Sequence, residues 1–350
     1  MAADRIRVVI CDDSLVAREM LAQILASDHE IEVVGQAKDG REAIEVVGRL
    51  RPDLVTMDIH MPNMDGIQAV EQIMAFTPTA ILVVSSSVRG QGIGYAFEAL
   101  KAGALEVMKK PEPKDWEDLQ RIGTDIIRRV KILSRVRVIT HIAGRRRPNG
   151  RATKRVEPPS AGKEGYGLVA IGSSTGGPSA LMNVLGALPP DFPLPVLVAQ
   201  HIADGFIPGL VDWLNGGCRI RVEAALDMAT PEPGTVYLAP TGRNLILDGR
   251  VMRFVEPQKG QLYIPSADTL CFSVADSLQR RAIGVILTGM GNDGAHGLKA
   301  MRDAGAATIA QDEKTSTVYG MPRAAKELGA AVAVLPLDAI GAEIAVLAGR

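Results

Sequence analysis

The chain has 350 residues, 47% of them hydrophobic and 23% charged, enough length for two globular domains and enough apolar content to give each a core. A formal net charge of -1 gives no general reason to bind nucleic acid, and three cysteines (Cys11, Cys218, Cys271) without a C-x-x-C pair point away from a disulfide framework or a thiolate zinc site. They read as buried thiols in a reducing cytosol. The N-terminus, MAADRIRVVICDDS, lacks a basic segment followed by a long apolar core, and no apolar run reaches about 18 residues, so a cytoplasmic protein without membrane insertion is expected.

Residues 5–133 alternate short apolar runs with helical patterns. Strands are predicted near Arg7–Ile10, Glu32–Gly35, Leu54–Met57, Ile81–Val84 and Glu106–Met108, and this rhythm implies βαβ units in a doubly wound parallel sheet. Asp12 and Asp13 follow the first strand, Asp58 ends the third, Ser85–Ser86 end the fourth and Lys110 ends the fifth. In such a sheet the carboxyl ends of the strands line the ligand crevice. Three carboxylates gathered there need a cation, and a few oxygen ligands with room for water and a phosphoryl group suit Mg²⁺.

The segments CDDS, TMDIHMPNMDG and KKP, in this order, resemble a response-regulator receiver domain over residues 5 to about 120. The resemblance implies that Asp58 accepts a phosphoryl group, that Asp12 and Asp13 join it in holding Mg²⁺, and that Ser85 and Lys110 contact the phosphoryl oxygens as switch residues. His60 departs from the acidic residue usual two positions after the phosphoacceptor, which bears on the lifetime of the phosphoryl group.

Between Ser134 and Gly165 the composition changes: nine Lys or Arg stand against Glu157 and Glu164, a local net of +7, among prolines and glycines from Gly144 onward. A flexible basic linker is expected here, read as a solvated spacer rather than a docking or nucleic-acid-binding element. The domains are therefore placed at 5–125 and 166–350, with a helix end and the linker over 126–165.

From Tyr166 the α/β rhythm resumes, with strands expected at Leu168–Ile171, Val196–Ala199, Ile283–Leu287, Ala307–Ala310 and Val332–Leu335. Between about Arg219 and Pro265 the runs TVYLAP, NLILDG and VMRFVE, broken by turn residues, read as inserted β-hairpins. The fold class is thus α/β: two doubly wound parallel-sheet domains, an N-terminal (βα)5 unit and a C-terminal α/β hydrolase-like unit carrying hairpins.

GLVAIGSSTGGPSA, residues 167–180, runs an apolar strand into a glycine-rich turn. Gly172-Ser173-Ser174-Thr175-Gly176 fits G-x-S-x-G, which exposes Ser174 as a candidate nucleophile, although a phosphate-cradling loop or a simple glycine turn has the same pattern. A serine nucleophile needs a base, and the base an orienting acid. His201 closes the strand PLPVLVAQH, while His296 reads as an exposed structural histidine. Asp293 follows the strand AIGVILTG, so Ser174, His201 and Asp293 gather at one rim. Their order differs from the Ser, Asp, His order of α/β-hydrolases.

IGSSTGGP, VLVAQH, YLAPTGRN, PSADTLCFSVA, GVILTGMGNDGAHGL and AQDEKTSTVYGMPRAA together resemble the catalytic domain of the CheB family of chemotaxis protein-glutamate methylesterases. The resemblance implies a triad at Ser174, His201 and Asp293, and an oxyanion hole of backbone N–H groups at Thr175 and Met290. Asn244 departs from a histidine common in relatives and is taken as peripheral to the chemistry. The implied activity is phosphorylation-activated hydrolysis of glutamate γ-methyl esters on chemoreceptors, releasing methanol, with glutamine deamidation beside it. Ester hydrolysis is expected to need no cofactor, and the histidine kinase CheA to be the phosphodonor. Two alternatives stay open: a phosphorylation-controlled binding protein with an idle triad, and a DNA-binding regulator, for which the basic linker is the one supporting feature.

Overall fold

The computed structural model describes residues 5–86, 92–136, 138 and 165–349, and divides into two units on either side of the Pro148–Asn149 bond. In the first unit the apolar runs become β1 (Ile6–Cys11), β2 (Ile31–Ala37), β3 (Leu54–Met57), β4 (Ala80–Ser85) and β5 (Glu106–Lys109). Between and after them come α1 (Leu15–Ala26), α2 (Gly40–Leu50), α3 (Gly66–Phe76), α4 (Gly92–Lys101) and α5 (Trp116–Leu133). All neighbouring strands are parallel, in the order β2-β1-β3-β4-β5.

Local chemistry starts and aims the helices. Ser14, Asp39, Asp65 and Asp115 each accept a backbone N–H of the first turn of α1, α2, α3 and α5. Gly123, Ile126, Val130 and Leu133 of α5 recur at helical spacing and turn to the core made by Val8, Ile10, Leu54 and Leu82. The basic linker expected to follow lies outside the described residues, apart from its first positions.

The second unit contains β6 (Leu168–Ser173), α6 (Gly177–Gly186), β7 (Val196–Gln200), α7 (Ile207–Gly217), β8 (Arg221–Ala224) and β9 (Thr235–Leu238). There follow β10 (Asn244–Asp248), β11 (Val251–Val255), α8 (Ala267–Leu278), β12 (Ala282–Ile286), α9 (Ala295–Asp303), β13 (Ala307–Gln311), α10 (Met321–Glu327), β14 (Ala333–Leu335) and α11 (Leu337–Leu347). A seven-stranded parallel sheet runs β14-β13-β12-β6-β7-β9-β8. Its central strands β13, β12, β6 and β7 are buried at every position, as strands covered by helices on both faces must be.

The hairpin expectation needs one correction. NLILDG and VMRFVE do form an antiparallel pair, β10 with β11, but TVYLAP supplies β9, which pairs in parallel with β7 and β8. Thr235–Leu238 is buried throughout. A run without alternation belongs inside a covered sheet, and the turn residues around it had concealed that. Among the described residues no helix is long and apolar enough to cross a membrane.

Cross-strand hydrogen bonds continue past the strand ends and set the two rims. Asp58 N donates to Cys11 O and Lys110 N to Ser85 O, each at 2.8 Å. In the second unit His201 N donates to Ser173 O at 2.9 Å, and Ser174 N to Thr288 O at 3.0 Å. The segment carrying Ser174 therefore lies between those carrying His201 and Thr288.

Backbone proximity also explains one glycine beside the first rim. A Cβ at Gly66 would stand 2.0 Å from the carbonyl oxygen of Asp58, whereas one at Gly48, inside α2, would meet nothing within 4 Å. Gly66→Ala is expected to destabilise the first unit by about 1–3 kcal/mol through overpacking, and Gly48→Ala to stabilise it by about 0.5–1 kcal/mol. Urea unfolding curves of the two variants decide this; equal midpoints would contradict the assigned close approach.

Candidate functional site

At the rim of the first unit, Asp12 and Asp58 are 1% and 3% exposed, while Asp13 faces solvent. The buried pair is compensated by one cation: Lys110 Nζ lies 2.7 Å from Asp12 Oδ2 and 2.9 Å from Asp58 Oδ2. Ser14 N donates to Asp12 Oδ1 and Ile59 N to Asp58 Oδ1. Burial pushes the Asp58 carboxyl above the ordinary carboxylate range, with Lys110 working against it and Asp12 adding to it. Burial works to lower Lys110, but its two carboxylate partners win and hold it above its usual value. Ser85 is fully buried at the end of β4.

Oxygen atoms of Asp12, Asp13 and Asp58 lie within 4.8 Å of one another. Asp12 Oδ2 has the charge of Lys110 beside it yet accepts no hydrogen bond of good geometry, an unsatisfied buried anionic oxygen. Hard carboxylate oxygens at this spacing, one of them solvent-facing, fit a small divalent cation that keeps part of its water.

In the second unit, β6 ends at Ser173 and Ser174 opens the turn into α6. Gly176 takes φ 74°, and a Cβ there would stand 2.4 Å from Thr317 Oγ1, so only glycine fits this corner. Pro178 sits in the first turn of α6, where its missing N–H costs nothing. The Ser174 side chain packs against Gly289: a Cβ at that glycine would stand 2.7 Å from the serine Cβ.

Two buried glutamines, which sequence reasoning passed over, hold this corner. Gln200 Nε2 donates to the carbonyls of Ser174 (2.9 Å) and His201 (2.8 Å), and Ser173 Oγ donates to Gln200 Oε1. Gln311 Oε1 accepts from Thr288 N at 2.7 Å, and Thr288 Oγ1 donates to Thr175 O at 2.9 Å. Among the described residues, no acceptor takes the backbone N–H of Thr175 or of Met290. A polar residue closing an apolar strand was the available signal for both glutamines.

His201 and Asp293 meet directly, Nε2 to Oδ2 at 2.8 Å. Asp293 accepts three further hydrogen bonds at the start of α8: from Ser266 Oγ (2.8 Å), Ala267 N (2.7 Å) and Asp268 N (3.0 Å). Burial works to raise this carboxyl, but the His201 imidazole and the α8 N–H groups outweigh it and hold it below the ordinary range. A carboxylate partner keeps the imidazole proton on Nε2 and leaves the lone pair on Nδ1. Nδ1 is buried without a hydrogen-bond partner, and Ser174 Oγ is not hydrogen-bonded to it in this structure. An unliganded base with a free lone pair can take a proton from a nearby hydroxyl once a substrate draws the two together.

Asp268 and Asp293 exchange places across two helices. Asp293, just before α9, accepts N–H groups of α8; Asp268, within α8, accepts Gly297 N of α9 at 2.6 Å. Burial raises the Asp268 carboxyl, with Asp293 adding to the effect and exposed His296 opposing it. Asn244, expected to be peripheral to the chemistry, is built into the structure around Asp293. It is 2% exposed, and its Oδ1 accepts at 2.8 Å from Ser266 N, the backbone of the same serine whose hydroxyl donates to Asp293. The aromatic ring of Tyr263, also missed, lies against His201. Cys11 precedes Asp12, and Cys271 lies near enough to Asp268 and Asp293 to feel their charge; burial pushes the Cys218 thiol up to about 11 and those of Cys11 and Cys271 higher still.

A family profile described as CheB methylesterase matches residues 169–344, and one described as response regulator receiver domain matches residues 8–120. The chain is 45% identical over 335 residues to the protein-glutamate methylesterase/protein-glutamine glutaminase 2 of Anaeromyxobacter dehalogenans, covering 96% of this chain and 95% of that one. It is 42% identical over 358 residues to the protein-glutamate methylesterase/protein-glutamine glutaminase 1 of Syntrophus aciditrophicus, covering 98% and 99%. The crystal structure of the Thermotoga maritima CheB methylesterase catalytic domain is similar with a TM-score of 0.51 and 35% identity, covering 52% of this chain and 98% of that one.

The opposite shifts at Asp293 and Asp58 predict opposite effects on stability. A depressed carboxyl contributes stability that is present at neutral pH and lost as pH falls through its folded value. Asp293→Asn should therefore lower the urea midpoint of the second unit at pH 7, and the deficit should shrink toward pH 3. Asp58 is raised, so its ionised form costs stability above that raised value, and Asp58→Asn should raise the midpoint of the first unit at pH 7. An Asp293→Asn protein as stable as its parent at pH 7, or a destabilised Asp58→Asn, would show the wrong sign.

Proposed function

The chain belongs to the CheB methylesterase family and carries a response-regulator receiver domain, and from that premise we propose that it hydrolyses glutamate γ-methyl esters of chemoreceptors and deamidates receptor glutamines under the control of receiver phosphorylation. The observation that carries the chemistry is the His201–Asp293 pair, with a free Nδ1, beside the elbow of Ser174. Residues 5–125 act as the receiver and 166–350 as the catalytic domain, joined through 126–165, in a cytoplasmic protein.

Ser174 Oγ is the nucleophile. As it attacks the γ-carbonyl carbon, its proton passes to His201 Nδ1, and Asp293 stabilises the imidazolium through Nε2–H. The N–H groups of Thr175 and Met290 donate to the oxyanion of the tetrahedral intermediate. Collapse breaks the bond to the methoxy oxygen, which takes the proton from the imidazolium and leaves as methanol; a glutamine substrate leaves ammonia instead. Water then attacks the acyl-enzyme, giving one proton to Nδ1; the second collapse passes that proton to Ser174 and frees the glutamic acid side chain, which loses its own proton to solvent.

In the receiver, Asp58 takes the phosphoryl group from a histidine kinase of the chemosensory type, CheA. Asp12, Asp13 and Asp58 would hold Mg²⁺, which neutralises carboxylates and phosphoryl oxygens together. Lys110 already spans Asp12 and Asp58, and Ser85 closes the adjacent strand. A phosphoryl group brings about -1.5 to -2 charges to this cluster, so Lys110 and Ser85 gain a partner that exists only in the modified state.

Methanol release from a methylated receptor tests the reading. Ser174→Ala and His201→Ala should each lower the rate by about 10³-fold or more, with the double variant little worse than either single one. A phosphodonor should raise the rate of the parent protein and leave that of Asp58→Asn unchanged. Near-normal release by folded Ser174→Ala would sink the serine mechanism, and activation of Asp58→Asn would move the phosphoacceptor elsewhere.

A further inference from the structure

A single hydrogen bond anchors the His201 ring. Nε2 is tied to Asp293 Oδ2, but Nδ1 has no partner, so no second polar contact on the ring fixes its rotation about that bond. What lies on its flat face is another ring. Tyr263 is stacked on the imidazole with centroids 4.7 Å apart and planes 8° from parallel. The far end of the same side chain is also confined: a Cβ at Gly291 would stand 2.3 Å from the Tyr263 hydroxyl oxygen. One tyrosine therefore reaches from the imidazole to the turn that follows Met290.

The loop bearing this tyrosine is tied down on both sides by one buried residue. Two positions before it, Gln261 Oε1 accepts from Asn244 Nδ2 at 2.9 Å and from Gln258 N at 3.0 Å. Three positions after it, Ser266 N donates to Asn244 Oδ1 at 2.8 Å, while Ser266 Oγ donates to Asp293. The anchor that seats Tyr263 is thus continuous with the cap that seats the acid. Stacked, pinned rings of this kind resist rotation out of plane, which a lone hydrogen bond does not.

We infer that Tyr263 is a positioning residue for the reaction: its ring, seated by Asn244, Gln261 and Ser266, holds the His201 imidazole so that Nε2 stays on Asp293 while Nδ1 stays available to Ser174. Its kinetic consequences rest on the esterase reading; its structural consequence does not. Orientation of a base acts on the chemical step, so kcat and not KM carries the effect. The flat ring does this work, and the hydroxyl does not.

The full-length protein, Tyr263→Leu and Tyr263→Phe are compared on a short peptide bearing a glutamate γ-methyl ester. In parallel, the ring protons of His201 are followed by NMR, assigned by their loss in His201→Gln. Tyr263→Leu should lower kcat by about 10- to 100-fold with KM within about twofold, and Tyr263→Phe should restore kcat to within about threefold of the parent. The His201 ring protons should be shifted upfield by the stacked ring in the parent and in Tyr263→Phe, and move downfield in Tyr263→Leu. An unchanged kcat in Tyr263→Leu, an effect confined to KM, or Tyr263→Phe as impaired as Tyr263→Leu would each overturn the inference. If the parent protein itself does not cleave the ester, the esterase reading fails, and the NMR comparison alone decides whether Tyr263 holds the ring: movement in Tyr263→Leu only supports it, and no movement refutes it.

Discussion

The second unit depends on the seating of one buried carboxylate at the start of a helix. Asp293 enters the interior charged and stays charged because four donors meet it: His201, Ser266 Oγ and the N–H groups of Ala267 and Asp268. The first N–H groups of any helix lack partners within it, and an anion placed there is favoured both by those bonds and by the helix dipole. That arrangement fixes where α8 begins and where the turn after β12 must pass. Asp268 returns the contact to α9, so the two helices that pack most extensively on each other also complete each other's termini. The imidazole partner of Asp293 then has its place by default.

Around that seat the polar interior is built from residues with no chemistry of their own. Gln200 joins the carbonyls of Ser174 and His201, and Gln311 with Thr288 carries the turn on the other side of the serine. Buried amides with every bond made rigidify a corner that glycine alone would leave loose. The glycines serve closeness: Gly176 permits the left-handed corner, and Gly289 lets the Ser174 side chain lie against its backbone. Precision at the elbow therefore comes from amide side chains, and access to it from missing ones.

The first unit solves a different electrostatic problem with one lysine. Two buried carboxylates share Lys110, and the shifts run in opposite directions: Asp58 upward because burial dominates, Lys110 upward because two anions hold its proton. Such a cluster is less stable than an uncharged rim, and its balance changes whenever a charge is added to it. Sites that must respond to a modification keep this kind of partly balanced charge.

Much was legible in the amino-acid sequence. Strand ends placed Asp12, Asp58, Ser85 and Lys110 on one rim, and Ser174, His201 and Asp293 on another, because parallel strands put their carboxyl ends on one side whatever the strand order. Motif order carried the family. The run TVYLAP was misplaced because turn residues on both sides hide a strand that only the covered sheet explains. Asn244 was read as peripheral, although it bonds Ser266 across 22 positions. Gln200, Gln311, Ser266 and Tyr263 were missed for the same reason: their partners are remote in sequence, and neither periodicity nor spacing reports such contacts. Local propensity and strand direction settle which residues gather at a rim; which nitrogen of His201 meets Asp293, and which ring lies on its face, is decided only when distant segments close on each other, since hydrogen bonds and stacking depend on ångström distances that sequence order does not contain.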